Sequence, residues 1–320
     1  MNHKGGLHNR ITKRIQLRPF SLLETEQYLQ SRNIRLNRYQ LVQIYMTIGG
    51  IPHYLEQIET GKSAVQIIDE ICFSEMGLLR DEFSKLYPAL FDNAEKHIAI
   101  IRALAQKRQG LGRNEIIKES KLTNGGSLTR VLDELMQSGF IATYPSFNKK
   151  KKDTLYRLTD EYSLFYLQFI EKNLGDKKDV WQRLSQTQNY KTWSGYAYEN
   201  ICLKHVDQIK EALRIGGVYA TTSSFYKKGT SAEKGAQIDL VLDRNDQIIN
   251  LFEIKFYKDE LLLSKSDAAQ LREKLSVFQR ATKTKKHLFL SLMTTFGITP
   301  NQHSIGLIDQ VLTLDDLFKL

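Results

Sequence analysis

Apolar residues recur at helical spacing through the first part of the chain, to about residue 92. Ser21 and Glu24 form a capping-box pattern ahead of Glu26-Gln-Tyr-Leu-Gln, which predicts a helix start. A second helix is predicted over Arg38–Ile48, stopped by Gly49-Gly50, with Pro52 opening the next element. Further helical stretches run over Ala64–Ile71 and Leu78–Phe83, and Pro88 is expected to interrupt them. No convincing strand follows Ile15-Gln-Leu, so the segment reads as a small helical bundle.

The pattern changes near residue 95. Helices are predicted over Lys96–Gln109, Arg113–Ser120 and Ser127–Ser138, each followed by glycine or a polar turn. Phe140–Tyr144 then reads as a strand, Asn148–Asp153 as a charged turn and Thr154–Leu158 as a returning strand. Three helices followed by a hairpin is a winged helix-turn-helix layout. A helical connector follows over Tyr162–Leu174 and Val180–Leu184. Beyond it come a helix over Gly195–Leu213, a strand pair, a helix over Ser266–Arg280 and a strand over His287–Met293. That order predicts an α/β or α+β domain.

The strand pair carries the chemistry. Gln237–Leu242 and Ile248–Lys255 are apolar runs joined by a turn near Asn245 and Asp246. Asp239 and Lys255 interrupt those runs, where a charge is costly unless it is paired or holds a metal. Glu253 and Lys255 are two apart on a strand and share a face. The turn brings Asp239 opposite Glu253 to within about one residue of register. Two carboxylates and an ammonium then converge on a patch suited to a hard divalent cation and a phosphate ester. The alternative is an exposed surface salt bridge, which accounts for Glu253 and Lys255 better than for Asp239.

Charge sharpens the picture. The chain carries +10 overall, and residues 97–160 hold 12 basic against 6 acidic side chains. A concentrated basic segment is the footprint of a polyanion-binding module. On the expected recognition helix, Ser127, Thr129 and Arg130 are polar and near its start, placed to reach phosphates or base edges. Lys149, Lys150, Lys151 and Lys152 form the predicted wing tip, where they can lie along a DNA backbone. Such lysine blocks also blunt strand edges, and winged helices also mediate protein contacts.

Other features bound the rest. At 320 residues, 41% hydrophobic and 26% charged, the chain has room for two or three globular domains. No apolar run is long enough to cross a membrane and no signal-peptide pattern opens the chain, so a cytoplasmic protein is expected. Cys72 and Cys202 lie far apart with no metal-ligand spacing and are expected to be buried thiols.

Residues 193–320 resemble the PD-(D/E)XK nuclease superfamily, with Asp239 on the second strand, Glu253-Ile254-Lys255 on the third and Glu199 on the preceding helix. The resemblance implies that Asp239 and Glu253 bind magnesium, that Lys255 orients water and stabilises phosphate charge, and that Glu199 adds a further acid. Ile238 stands where the family pattern has proline. Gly195, four residues before Glu199, is expected to let that helix pack close to the sheet.

Residues 1–92 resemble the helical lid of archaeal-type AAA+ ATPases, through Leu7-His-Asn-Arg10-Ile-Thr, Ile15-Gln-Leu-Arg-Pro-Phe-Ser and Gly49-Gly-Ile-Pro-His-Tyr-Leu. Members of that family continue with a winged helix and a nuclease-like domain, so the resemblance covers essentially the whole chain. A P-loop is missing: Gly61-Lys62-Ser63 is only a fragment, with Glu56 at the first glycine position. The resemblance therefore implies a chain without its motor core and without nucleotide-binding residues.

The expectation is a multidomain α and α/β protein. It comprises a lid-like bundle (1–92), a winged helix-turn-helix (93–160), a helical connector (161–192) and a restriction-endonuclease-like domain (193–320). Its expected function is DNA binding with magnesium-dependent phosphodiester hydrolysis. The alternative is an inactive DNA-binding or regulatory protein, or an accessory subunit of a separate ATPase. The expected partners are DNA and either that ATPase or a second copy, with no membrane.

Overall fold

A computed structural model describes residues 16–107, 109–148, 154–175, 179–230 and 233–319. It is a mixed α/β structure, with helices through the first two-thirds and a five-stranded mixed sheet in the last third. Lys149–Lys152 and Arg10 lie outside the described residues.

Capping sets the first helices. Ser21 and Glu24 close a reciprocal capping box on α1 (Leu22–Ser31), and Asn37 caps α2 (Arg38–Ile48). Gly49 takes a left-handed φ of 67° after α2, and Gly50 passes so close to the Phe20 carbonyl that a Cβ would lie 2.0 Å from it. Pro52 then opens the single turn α3 (Pro52–Leu55). Ser63 caps α4 (Ala64–Phe73), and the neighbouring Lys62 bridges Glu59 and Glu70 at 2.6 and 2.5 Å.

Pro88 does not interrupt the next helix, contrary to expectation. It lies inside α5 (Glu82–Leu90), in the last turn, where it removes one i→i−4 hydrogen bond without ending the helix. Its neighbour Tyr87 is fully buried, with its hydroxyl 2.7 Å from that of Ser163.

Helices α6 (Ala94–Ala105), α7 (Arg113–Ser120) and α8 (Gly126–Gln137) precede a hairpin of β1 (Ile141–Tyr144) and β2 (Leu155–Leu158). The connector is not one regular helix. It begins as α9 (Glu161–Phe165), widens to a π turn over Tyr166–Ile170 and tightens to a 3-10 turn over Glu171–Asn173. After α10 (Val180–Leu184), the helix predicted over Gly195–Leu213 is in fact two, α11 (Gln188–Lys204) and α12 (Val206–Ala212). They part at His205, whose Nε2 accepts the Leu22 amide of α1 at 3.1 Å while Nδ1 donates to Ile201 O at 2.8 Å.

The sheet runs β3 (Ala220–Lys227), β4 (Ala236–Arg244), β5 (Ile248–Ile254), β6 (His287–Met293) and β7 (Gln310–Leu312), in that spatial order. The β3, β4 and β5 neighbours are antiparallel, whereas β5, β6 and β7 are parallel. Between β5 and β6 the chain crosses over through α13 (Lys265–Thr282), started by a Ser264–Asp267 capping box.

The two sheet faces pack differently. Leu240, Leu242, Phe252 and Ile254 join the core that contains Tyr198 of α11 and extends back to Leu22 and Leu132. Val241, Ile249 and Leu251 instead meet Val277 and Phe278 of α13. Ser223 pairs with Val241 and Phe225 with Ile238, so β4 spends one residue more than β3 between those pairs. Asp239 and Leu240 form this bulge, a device that re-aims side chains.

The edge of the sheet is covered by the hairpin region. Ser224 of β3 donates to Pro145 O at 3.1 Å and accepts from Phe147 N at 2.8 Å. The Phe147 ring packs on Phe278 with centroids 5.0 Å apart. An exposed edge is thereby closed off.

Candidate functional site

Asp239 and Glu253 become neighbours through the hairpin. The pairing runs from Asp243↔Ile249 to Leu240↔Phe252, and Asp239 and Glu253 are the next residues along on the two strands. Both are buried, each 8% exposed. Among the described residues, Asp239 accepts two long hydrogen bonds, both 3.4 Å, from Ile254 N and Gln237 Nε2. Among the described residues, none of the ion pairs involves Asp239. Burial, then the nearby Glu253 charge, push its carboxyl up to about 6.

Glu253 is held on both oxygens. Lys255 approaches Oε1 at 2.8 Å, as expected for two residues on one strand face, and Lys274 donates to Oε2 at 2.5 Å. Burial disfavours the Glu253 charge, but the two ammonium groups outweigh it and keep the carboxyl below its ordinary range. Lys255 moves up correspondingly, because Glu253 outweighs its own desolvation.

Glu199 comes from α11. Burial, then repulsion from Asp239, raise it to about 8, with Glu253 adding a smaller push. Its counter-charge is Arg157 of β2, with Nη2 3.5 Å from Oε2. Arg157 is 6% exposed and lies between the rings of Tyr144 and Tyr196, at 5.4 and 5.3 Å. The expected role of Gly195 fails: a Cβ there would meet nothing within 4 Å, so close packing of α11 does not require glycine.

Lys274 and Arg157 were not anticipated from sequence. Each had a weak signal, a charge in register with apolar positions: Lys274 three residues after buried Leu271, and Arg157 in the short strand Leu155-Tyr-Arg-Leu. Glu253, Lys255 and Lys274 line a cleft of about 60 Å³ with Tyr257, Asp267 and Gln270. The cleft lies beyond the carboxyl end of β5, where ligands of parallel strands bind.

The oxygen donors suit a hard divalent cation. Asp239 is a buried carboxylate without an ion-pair partner among the described residues, and a cation would supply the missing neutralisation. Glu253 is already neutralised by two lysines. Among the described residues, no group of three or more His, Cys, Asp or Glu side chains has an arrangement that could hold a metal ion.

The second candidate surface is α8. Ser127, Thr129 and Arg130 are exposed on its first turns, and Leu128, Val131, Leu132 and Leu135 bury its other face. Lys96 reaches the Ser127 hydroxyl at 3.1 Å, Arg113 reaches the Thr129 hydroxyl at 2.9 Å, and Arg130 pairs with Glu134 at 2.8 Å. Cys72 and Cys202 are buried free thiols, and no helix is long and apolar enough to cross a membrane among the described residues.

No family model matches the chain. An uncharacterized protein of Methanocaldococcus jannaschii is 22% identical over 260 residues, which is 80% of this chain and 56% of that protein. The chain thus spans just over half the length of the curated relative it matches. A protein of Vibrio cholerae with a solved crystal structure aligns with 98% of this chain and 62% of its own, at 12% identity and a TM-score of 0.26.

Proposed function

We propose that this chain is a DNA-binding protein whose C-terminal α/β part hydrolyses phosphodiesters with magnesium. On this reading the helices before residue 93 are an AAA+ lid-like bundle, α6–β2 a winged helix-turn-helix, and β3–β7 with α11 and α13 a PD-(D/E)XK-like domain. One observation carries the proposal: Asp239 and Glu253 sit side by side on adjacent buried strands, and Asp239 has no ion-pair partner among the described residues.

Asp239 and Glu253 would be the two protein ligands of a magnesium ion that keeps several waters, and Glu199 would stand nearby as a further acid. When bound, magnesium lowers the pKa of coordinated water and neutralises phosphoryl charge. Lys255 stays protonated and donates to the oxygens on which negative charge develops. Lys274 holds Glu253 in place from α13. Ser127, Thr129 and Arg130 face the DNA from α8, and the lysine run 149–152 adds backbone contacts.

A second reading is favoured by the two lysines on Glu253. A carboxylate neutralised on both oxygens has less need of a cation, which fits an inactive scaffold in a DNA-binding or accessory subunit. Nicking of supercoiled plasmid and of circular single-stranded DNA, with magnesium or with EDTA, by wild type and Asp239→Asn, separates the two. Magnesium-dependent nicking lost in Asp239→Asn supports hydrolysis. Nicking equal in both proteins overturns the site assignment, and none in either favours the second reading.

A further inference from the structure

We propose that the cleft beside Lys255 takes the phosphate of an unpaired nucleotide whose base stacks on the exposed face of Tyr257. This rests on the hydrolase reading above and specifies the substrate as single-stranded or frayed DNA, not intact duplex. Tyr257 lines the same cleft as Glu253, Lys255 and Lys274, yet it is 48% exposed. Its ring has no aromatic partner among the described residues, although most buried aromatics here are paired.

The backbone beneath it is pinned. Lys255 N donates to Met293 O at 2.8 Å, and Tyr257 N donates to Thr295 Oγ1 at 2.9 Å. Between them, Phe256 turns inward and stacks on Tyr39 of α2, with centroids 5.2 Å apart and planes at 8°. Phe296, the neighbour of Thr295, leans on Tyr39 at 5.5 Å and remains 43% exposed. Lys258, next along the chain from Tyr257, is exposed as well. The cleft therefore offers ammonium groups for a phosphate and a fixed, half-exposed ring one step away.

A base in a duplex is already stacked on both faces and gives such a ring nothing to cover. An unpaired base does, and base–aromatic stacking tolerates any sequence because every base has a π face. At about 60 Å³ the cleft has room for a phosphate and not for a base, so the base must lie outside it against the exposed Tyr257 ring.

The test measures fluorescence-polarisation binding of a labelled dT20 strand and of a blunt 20-base-pair duplex, in EDTA. Wild type, Tyr257→Phe and Tyr257→Ala are compared, with Asp239→Asn as a separate control. Tyr257→Ala is expected to lose about tenfold in affinity for the single strand, equivalent to 1.4 kcal/mol. Tyr257→Phe keeps the ring and should bind as wild type does, while duplex affinity is unchanged in both. Equal single-strand binding by wild type and Tyr257→Ala overturns the proposal, as does an equal loss on both DNAs or no single-strand binding by wild type. Asp239→Asn that still nicks plasmid would defeat the metal-site reading and leave the stacking result standing.

Discussion

The guanidinium of Arg157 lies 3.5 Å from the carboxylate of Glu199, tying the two-stranded hairpin to the helix packed on the five-stranded sheet. Arg157 is buried and Glu199 partly exposed, and Glu199 is also repelled by Asp239, so Arg157 supplies the charge that offsets part of the acidic patch.

Removing one member of such a pair strands the other. Arg157→Met is expected to destabilise the protein by about 3 kcal/mol at pH 8.5, where Glu199 is ionised. The loss should shrink at pH 5.5, where Glu199 is protonated with or without its partner. Urea unfolding at the two pH values measures the difference, and equal losses would show that Arg157 acts through packing alone.

Glu199 and Asp239 fix the sign of a broader pH dependence. Their folded values of about 8 and about 6 lie above the ordinary 4.5 and 3.8. Between those limits the folded state binds more protons than the unfolded state, so this contribution to stability falls as pH rises from about 4 to 8. The double variant Glu199→Gln/Asp239→Asn should flatten that slope in melts across the range. If magnesium binds at these carboxylates it must displace the same protons, so its affinity, followed by calorimetry, should rise from pH 6 to 8 and vanish in the double variant.

His205 acts in the opposite sense. Burial holds its pKa below 6.5, because the neutral ring must accept the Leu22 amide. The unfolded state takes up a proton first as pH falls, so the stability due to this histidine is full above about 6.5 and declines below it. The stability gap between wild type and His205→Gln should therefore narrow from pH 7 to 5.

The hairpin region closes the sheet edge through Phe147. Phe147→Ala removes a partly buried ring from Phe278 and should cost about 2 kcal/mol. Hydrogen exchange should show the Ser224 and Phe147 amides losing protection while Leu251, in the sheet centre, keeps it.

Arg130 and Lys96 flank the exposed start of α8, the surface proposed to meet DNA. If each meets one phosphate, replacing both by alanine should lower the slope of log affinity against log salt by about 2 for duplex DNA. An unchanged slope would move the duplex contact away from α8.

Much of the candidate site was legible because its signals are local. The polar turn between two apolar runs sets the pairing of Asp239 with Glu253, and strand alternation puts Glu253 and Lys255 on one face. The Ser21–Glu24 capping box and the Gly49-Gly50 stop are likewise written within a few residues. Where local reading went wrong, a tertiary contact had prevailed. Pro88 rides inside α5 beside the buried Tyr87, and α11 breaks from α12 where His205 is drawn to the start of α1.

The sequence by itself determined several helix caps, the hairpin turn and which acids and bases share a strand face, since these depend on period, caps and turn length. Only the tertiary structure decided that Lys274 grips Glu253 from 21 residues away and that Arg157 meets Glu199 across 42. It also decided which carboxylates keep their protons. Protonation depends on burial and on distances between charges, and both exist only after the helices have packed against the sheet.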